Sequence, residues 1–369
     1  MGSTELFYLI CTAGYFLLAL ILFFGVNKRL KLTARQDLPS VSVIVAARNE
    51  EENIAACLAA LNDLEYPRHL LEIVVVNDRS EDRTHEIISQ FLQKNSRFTY
   101  IIRKTKSENL SGKAAALAQG IEASSGELIF ITDADCRVPR HWLLRMQRYF
   151  SSDVGIVLGF TALDFGRNLF FALQAVDWLY LLSAAAGAIG LGHPLSWIGN
   201  NFAMRRETYK EVGGYQGVGY SLTEDFALLR AVVRKTDWRV TFCQEKDSLI
   251  VSKPVSTFPG FISQRKRWAL GGMRLHWFGK ILIVLSFFVH AAALASVFFG
   301  VIQWGAILFA SILIGDFLIF YNSLKKFRQW NLLILLPIYK LFSFFYMLVL
   351  ALILAVHRRV VWKGIQYQR

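Results

Sequence analysis

The chain has 369 residues, of which 54% are hydrophobic and 14% aromatic, and its mean hydropathy is +0.36. Lys and Arg number 41 against 28 Asp and Glu, a formal charge of +13. A chain both apolar and basic fits a membrane protein with basic cytoplasmic flanks better than a soluble domain. No basic run is interleaved with stacking aromatics in a polar segment, so a nucleic-acid partner is not expected. Cys11, Cys57, Cys136 and Cys243 form no C-x-x-C pair and no zinc-type cluster with histidine, and read as reduced thiols.

Leu6 to Val26 is an uncharged apolar run long enough to span a bilayer, followed at once by Lys28, Arg29, Lys31 and Arg35. This order is the reverse of a cleaved signal peptide. It predicts an uncleaved anchor (residues 1–37), with the next domain in the cytoplasm. Residues 38–280 have globular character. Ser42 to Ala47 reads as a buried strand, Glu51 to Leu61 as a helix, Glu72 to Val76 as a strand and Glu81 to Leu92 as a helix. Thr99 to Ile102, Ala114 to Ala123 and Leu128 to Ile131 continue the alternation, which predicts an α/β fold with a parallel sheet.

Leu169 to Leu191 is apolar but carries Asp177, and is expected to be an interfacial helix rather than a span. Residues 281–369 are expected to form a membrane region with a basic tail. Ile281 to Gly300 and Ala306 to Tyr321 are candidate spans. Leu332 to Val356 is interrupted by Pro337 and Lys340; a broken or re-entrant segment there would keep His357, Arg358, Arg359 and Lys363 cytoplasmic. The protein is thus expected to be an integral, multi-pass membrane protein of the cell (inner) membrane, with the lipid bilayer as a partner.

In parallel sheets ligands sit beyond the carboxyl ends of the strands. That rule selects Arg48-Asn49-Glu50, Asn77-Asp78-Arg79 and Asp133-Ala134-Asp135, each directly after an apolar strand. Asp133 and Asp135 repel each other unless a cation lies between them. Mg²⁺ or Mn²⁺ favours one or two carboxylates plus phosphate oxygens. The plainer reading of a lone D-x-D is a strand-end turn with two solvated aspartates.

Taken in order, VSVIVAARNEEENI, EIVVVNDRSEDRT, SGKAAALAQG, LIFITDADC, TEDFALLR and QRKRW resemble the family 2 glycosyltransferases over about Ser40 to Trp268. The resemblance implies a GT-A fold, a nucleoside-diphosphate sugar donor (UDP-sugar is expected), a divalent metal and inverting transfer. It implies that Ala47, Arg48, Asn49, Glu50 and Asp78 form the nucleoside pocket, and that Lys113 holds the donor. Asp133 and Asp135 would bind metal and diphosphate. Thr223-Glu224-Asp225 matches T-E-D, whose Asp is the general base in the family; Glu224 and Asp225 would also suit a helix start without any catalytic role. Gln264, Arg267 and Trp268 match Q-x-x-R-W, with Arg267 facing the leaving diphosphate and Trp268 the acceptor; the same residues would also serve as a juxtamembrane anchor. Gly199-Asn200-Asn201-Phe202 and Arg205-Arg206 lie where the family lines its sugar and acceptor pocket.

The few spans and the tail Val361-Trp362-Lys363-Gly364-Ile365-Gln366-Tyr367 resemble lipid-type relatives acting on carotenoid, hopanoid or ceramide acceptors, although Ile365 stands where an Arg is usual. The expectation is transfer of one sugar to a membrane lipid hydroxyl. A processive polysaccharide synthase is the alternative, and a non-catalytic membrane scaffold the remote one.

Overall fold

Apolar and β-branched runs become strands, and each strand ends where a polar cluster begins. The computed structural model describes residues 2–33, 37–95, 97–105, 107, 109–272, 277–356, 360–362 and 365–367. In chain order, α1 (Ser3–Val26) precedes β1 (Val41–Ala47), α2 (Ile54–Asn62), β2 (Leu71–Asp78) and α3 (Thr84–Gln93). Then come β3 (Phe98–Arg103), α4 (Gly112–Glu122), β4 (Leu128–Asp133), α5 (Trp142–Met146), β5 (Val154–Gly159) and β6 (Thr161–Leu163). After α6 (Leu169–Gly190) follow β7 (Phe202–Arg205), α7 (Arg206–Glu211), α8 (Gly214–Val218), α9 (Glu224–Lys235), β8 (Arg239–Cys243) and β9 (Ile250–Ser252). The chain continues through α10 (Phe258–Gly272), α11 (Trp277–Phe298), α12 (Ile302–Phe327), α13 (Leu336–Val356), β10 (Val360–Trp362) and β11 (Ile365–Tyr367).

These elements form two compact units: a sheet unit of Arg29–Asp164 and Ser196–Pro254, and a helical unit of Met1–Lys28, Phe165–Leu195 and Val255–Arg369. This division differs from a linear one at residues 37 and 280, because α6 and α10 pack with the long apolar helices.

In the sheet unit, seven strands of the described residues run in the order β3-β2-β1-β4-β7-β5-β8. The β1–β4 block is parallel, and β7 is antiparallel to both β4 and β5. Val43, Val45, Ile73, Val75 and Phe130 are fully buried, each contributing about 1.5–3 kcal/mol of burial. Register puts Ala46 beside Asp133, Ala47 beside Asn77 and Asp78 beside Arg103, so the predicted clusters share one sheet edge. The helices after β1 and β2 start later than predicted. Glu50 to Asn53 and Ser80 to Arg83 spend their polar groups on turns instead, as short polar side chains commonly do.

In the helical unit, α1 crosses α6 with Gly25 against Gly187 and Gly190, where a Cβ would strike backbone carbonyls. Such small-residue contacts let apolar helices approach closely. A 3₁₀ segment, Trp330–Leu335, leads into α13, which runs without interruption from Leu336 to Val356 through Pro337 and Lys340. Pro337 sits in the first turn, where its missing N–H costs nothing. Lys340 is paired with Asp316 of α12, which also accepts the Tyr15 hydroxyl of α1 at 2.6 Å. Among the described residues five helices, α1, α6, α11, α12 and α13, are long and apolar enough to cross a membrane. The basic residues Arg35, His357, Arg358, Arg359 and Lys363, with Gly364 of the tail motif, lie outside the described residues.

Candidate active site

The turn after β1 and the turn after β2 are sewn together. Asn49, at φ 51°, receives a hydrogen bond on Oδ1 from the Glu81 amide at 2.9 Å, and its own amide donates to Ser80 Oγ at 3.1 Å. The amide of Glu50 donates to Thr84 Oγ1 at 2.7 Å, and that of Glu51 to Asp82 Oδ2 at 3.0 Å. Ala47 and Arg48 lead into this turn, and Asp78 closes β2 behind it. The Asp78 carboxylate is buried and accepts from Arg79 Nε and Arg103 Nη1, each at 2.9 Å. Arg103 also donates to the Gly112 carbonyl at 3.1 Å, tying Asp78 to the start of α4.

Lys113 is the next residue. A cation in the first turn of a helix opposes the helix dipole, so this position needs compensation. It comes from Asp133 Oδ1 at 2.6 Å and Glu224 Oε1 at 3.3 Å. Burial alone would lower the Lys113 pKa, but the charges of Asp133, Glu224 and Asp225 outweigh it and hold the ammonium well above the ordinary lysine range. It is therefore charged at neutral pH. The plain reading of Lys113 as a solvated helix-start lysine does not describe this arrangement.

Glu224 and Asp225 open α9, as acidic residues favour. Asp225 is fixed on both oxygens: Oδ2 accepts the Gly199 amide at 2.6 Å and Oδ1 the Phe226 amide at 2.7 Å. A Cβ on residue 199 would stand 2.6 Å from the Asp225 Cβ, so the close approach requires glycine. Lys113, Leu117, Ile131, Gly199, Phe202, Tyr215, Glu224 and Asp225 line one narrow cleft. Asp135 lies two residues past Asp133, and its Oδ2 accepts from Ser252 Oγ at 3.3 Å.

Among the described residues no three His, Cys, Asp or Glu side chains are grouped closely enough to hold a metal alone. Asp133 and Asp135 supply hard oxygen donors, and Asp133 already faces a cationic ammonium. That donor set suits Mg²⁺ or Mn²⁺ completed by phosphate oxygens.

Other predicted positions have different surroundings. Asn201 is a buried tie, accepting Trp142 Nε1 at 2.9 Å and donating to the Phe160 and Ser248 carbonyls at 2.7 and 3.0 Å. Arg205 pairs with Leu128, at the end of β4 opposite Asp133, and donates to the Val154 and Ser151 carbonyls. Arg206 binds the Gly126 and Ile121 carbonyls. Both arginines brace the far end of the sheet, which corrects their assignment to a sugar or acceptor pocket. Gln264, Arg267 and Trp268 belong to α10 of the helical unit, where Trp268 packs on Trp178 with ring centroids 5.3 Å apart.

Sequence reasoning passed over Arg103 and Tyr215. Arg103 ends a strand at the same edge, so the strand-end rule applied to β3 would have found it. Tyr215 follows Gly213-Gly214, whose φ values of 76° and 58° are the signal of a special turn. Burial pushes its hydroxyl pKa well up, so it stays protonated in the cleft.

Comparison with known proteins identifies the family and the fold. The family model described as Glycosyl transferase family 2 matches residues 42–213, and that described as Glycosyl transferase family group 2 matches residues 128–356. A probable glycosyltransferase, YdaM, of Bacillus subtilis is 30% identical over 74% of this chain and 66% of its own. A beta-monoglucosyldiacylglycerol synthase of Trichormus variabilis is 30% identical over 64% of this chain and 49% of its own. A poly-beta-1,6-N-acetyl-D-glucosamine synthase of Staphylococcus epidermidis is 26% identical over 72% and 64%. The chain thus spans about half to two thirds of these relatives' length. Among solved structures, a mannosyltransferase of Pyrobaculum calidifontis in complex with GDP-Man and Mn²⁺ superposes with a TM-score of 0.56. That match covers 93% of this chain and 99% of the other at 19% identity, which supports the GT-A fold.

Proposed function

Because the chain belongs to the family 2 glycosyltransferases, we propose that it moves a sugar from a nucleoside-diphosphate donor to the hydroxyl of a membrane lipid, with inversion. The observation that carries this reading is the Lys113 ammonium between Asp133 and Glu224, with Asp225 lining the same cleft. One carboxylate there serves the donor and another the acceptor.

In this reading the turn Ala47 to Glu50 and Asp78 take the nucleoside, and UDP is the expected one. Asp133 and Asp135 hold the divalent cation, Mg²⁺ or Mn²⁺, with the donor's phosphate oxygens. When bound, the cation neutralises charge on the departing diphosphate. Lys113 adds a second positive charge beside it. Asp225 accepts the proton of the acceptor hydroxyl as that oxygen attacks the anomeric carbon, and its two backbone hydrogen bonds keep the carboxylate aimed. Arg267 balances charge on the leaving group, and Trp268 with Gln264 lines the acceptor side. Catalysis faces the cytoplasm, with the apolar helices in the cell membrane. The lipid acceptor is favoured by the similarity to a diacylglycerol-glycolipid synthase.

The test is incubation of membranes containing the protein with radiolabelled UDP-sugars and Mn²⁺, followed by solvent partition. Label in a low-mass, organic-soluble product is expected. Label in a high-mass aqueous polymer would replace the lipid by a growing polysaccharide as acceptor, and no donor turnover at all would refute the enzyme reading.

A further inference from the structure

Asp177 lies in the middle of α6, an otherwise apolar helix, and is fully buried. An ionised carboxylate in such a place is costly unless it is paired and hydrogen-bonded. Here three side chains donate to it. Arg265 of α10 binds Oδ2 through Nη2, while the Tyr339 and Tyr346 hydroxyls of α13 bind Oδ1 at 2.7 and 2.8 Å. Arg265 is itself buried, with its guanidinium 4.6 Å from the Phe261 ring centroid and 4.2 Å from that of Trp268. Its Nη1 donates to Gln264 Oε1 at 3.0 Å.

Arg265 stands at an unspecified position of the Q-x-x-R-W pattern, yet it contacts both ends of the Gln264-Arg265-Lys266-Arg267-Trp268 segment. It holds Gln264 by a hydrogen bond and Trp268 by stacking, and it is held by Asp177. Rotation of α10 about its axis would carry Gln264 and Trp268 along with Arg265 and break the ion pair to Asp177, so that pair fixes how the helix face is turned.

We propose that Asp177 is a positioning residue for the acceptor half of the reaction, acting through Arg265 to set the orientation of Gln264 and Trp268. The proposal rests on the reading that this segment serves the acceptor. Asp177 touches no reactant. Its carboxylate charge is what matters, because a guanidinium buried between two aromatic rings needs a fixed anion to hold one rotamer.

The experiment measures donor affinity, donor hydrolysis to free sugar and transfer to lipid for wild type, Asp177→Asn and Asp177→Glu in the full-length protein. Asp177→Asn keeps the shape and can still accept from the tyrosines, but lacks the charge. A fall of about 10- to 100-fold in kcat for lipid transfer is expected, the scale of effect when positioning of reacting groups is lost, with donor affinity and hydrolysis within about twofold of wild type. Asp177→Glu, which restores the charge, should recover part of the transfer. Equal losses in hydrolysis and transfer, or wild-type transfer by Asp177→Asn, would overturn the proposal. If Asp177→Asn fails to accumulate, the double variant Asp177→Asn/Arg265→Gln removes both charges. Transfer by a folded double variant as fast as wild type would likewise overturn it. Absence of donor hydrolysis and transfer in the wild type would instead sink the enzyme reading, so the two failures are distinguishable.

Discussion

The sheet unit and the helical unit each contain a cluster of opposite charges, and the two clusters are built to opposite specifications. Around Lys113 the cluster is open on one side: its side chain is 33% exposed and that of Asp133 31%, with Glu224 behind them at 7%. In the helical unit they are sealed, with Asp177 and Asp316 at 0% and Arg265 and Lys340 at 4%. An open cluster can exchange a partner for a substrate group, because water and ligand reach it. A sealed one cannot, since separating its members would strand a charge in an apolar interior. Ion pairing alone therefore does not mark a site of chemistry; access does.

The sharpest way to break this contrast is to neutralise one charge in each cluster. Asp225→Asn should lower transfer by about 10²- to 10⁴-fold, the usual worth of a general base, while donor binding and unfolding stability stay close to wild type. Equal loss of donor affinity, measured by nucleotide titration, would remove Asp225 from that role. Lys340→Met should act oppositely, costing about 3–5 kcal/mol because Asp316 is left buried and uncompensated. Denaturant unfolding in detergent would measure it, and the double variant Asp316→Leu/Lys340→Met should recover most of the loss.

Smaller effects sharpen the open site. Gly199→Ala forces a methyl group to within contact of Asp225, and should cost about 1–3 kcal/mol of stability together with a clear loss of transfer. Unchanged kinetics would mean that the Gly199 amide does not hold the carboxylate in place. The smallest effect concerns Glu72. Burial would raise its pKa, but hydrogen bonds from Ser42, Ser125 and Gly126 outweigh that and lower it. A depressed pKa adds stability above the ordinary glutamate value, and that stability is lost as pH falls through the lowered one. The loss therefore lies below about pH 4. Glu72→Gln should remove that stability at neutral pH, flatten the acid limb of the stability curve, and leave stability below the lowered pKa nearly unchanged.

The sequence reveals the open site better than the sealed one, and the reason is physical. Val41 to Ala47 and Leu128 to Asp133 are buried strands whose apolar runs stop at the sheet edge, so local pattern points straight to Arg48, Asp78 and Asp133. Nothing local to Asp177 announces Arg265, 88 positions away, or Tyr346, 169 positions away. Lys340 read alone breaks an apolar span; read with Asp316 it belongs to an intact helix. Asn201, Arg205 and Arg206 mislead for the converse reason, because polar residues next to a motif can serve the backbone around it. Lys113 is the intermediate case: the helix start is legible, but its three carboxylate neighbours come from two other elements.

The interleaving of the two units has a consequence for anyone dividing the molecule. The sheet unit is completed only by β7, β8 and β9, which follow α6 in the chain. A contiguous fragment from Arg29 to Pro254 would therefore carry α6 without α1, α10, α12 or α13. Gly187 and Gly190 would lose their helix partner, and Asp177 would be an anion on a bare apolar rod. Such a fragment should aggregate or seek detergent, however well its sheet forms. The catalytic half of this protein is thus not a detachable module, and a soluble version would need α6 replaced by a short polar link between Asp164 and Ser196.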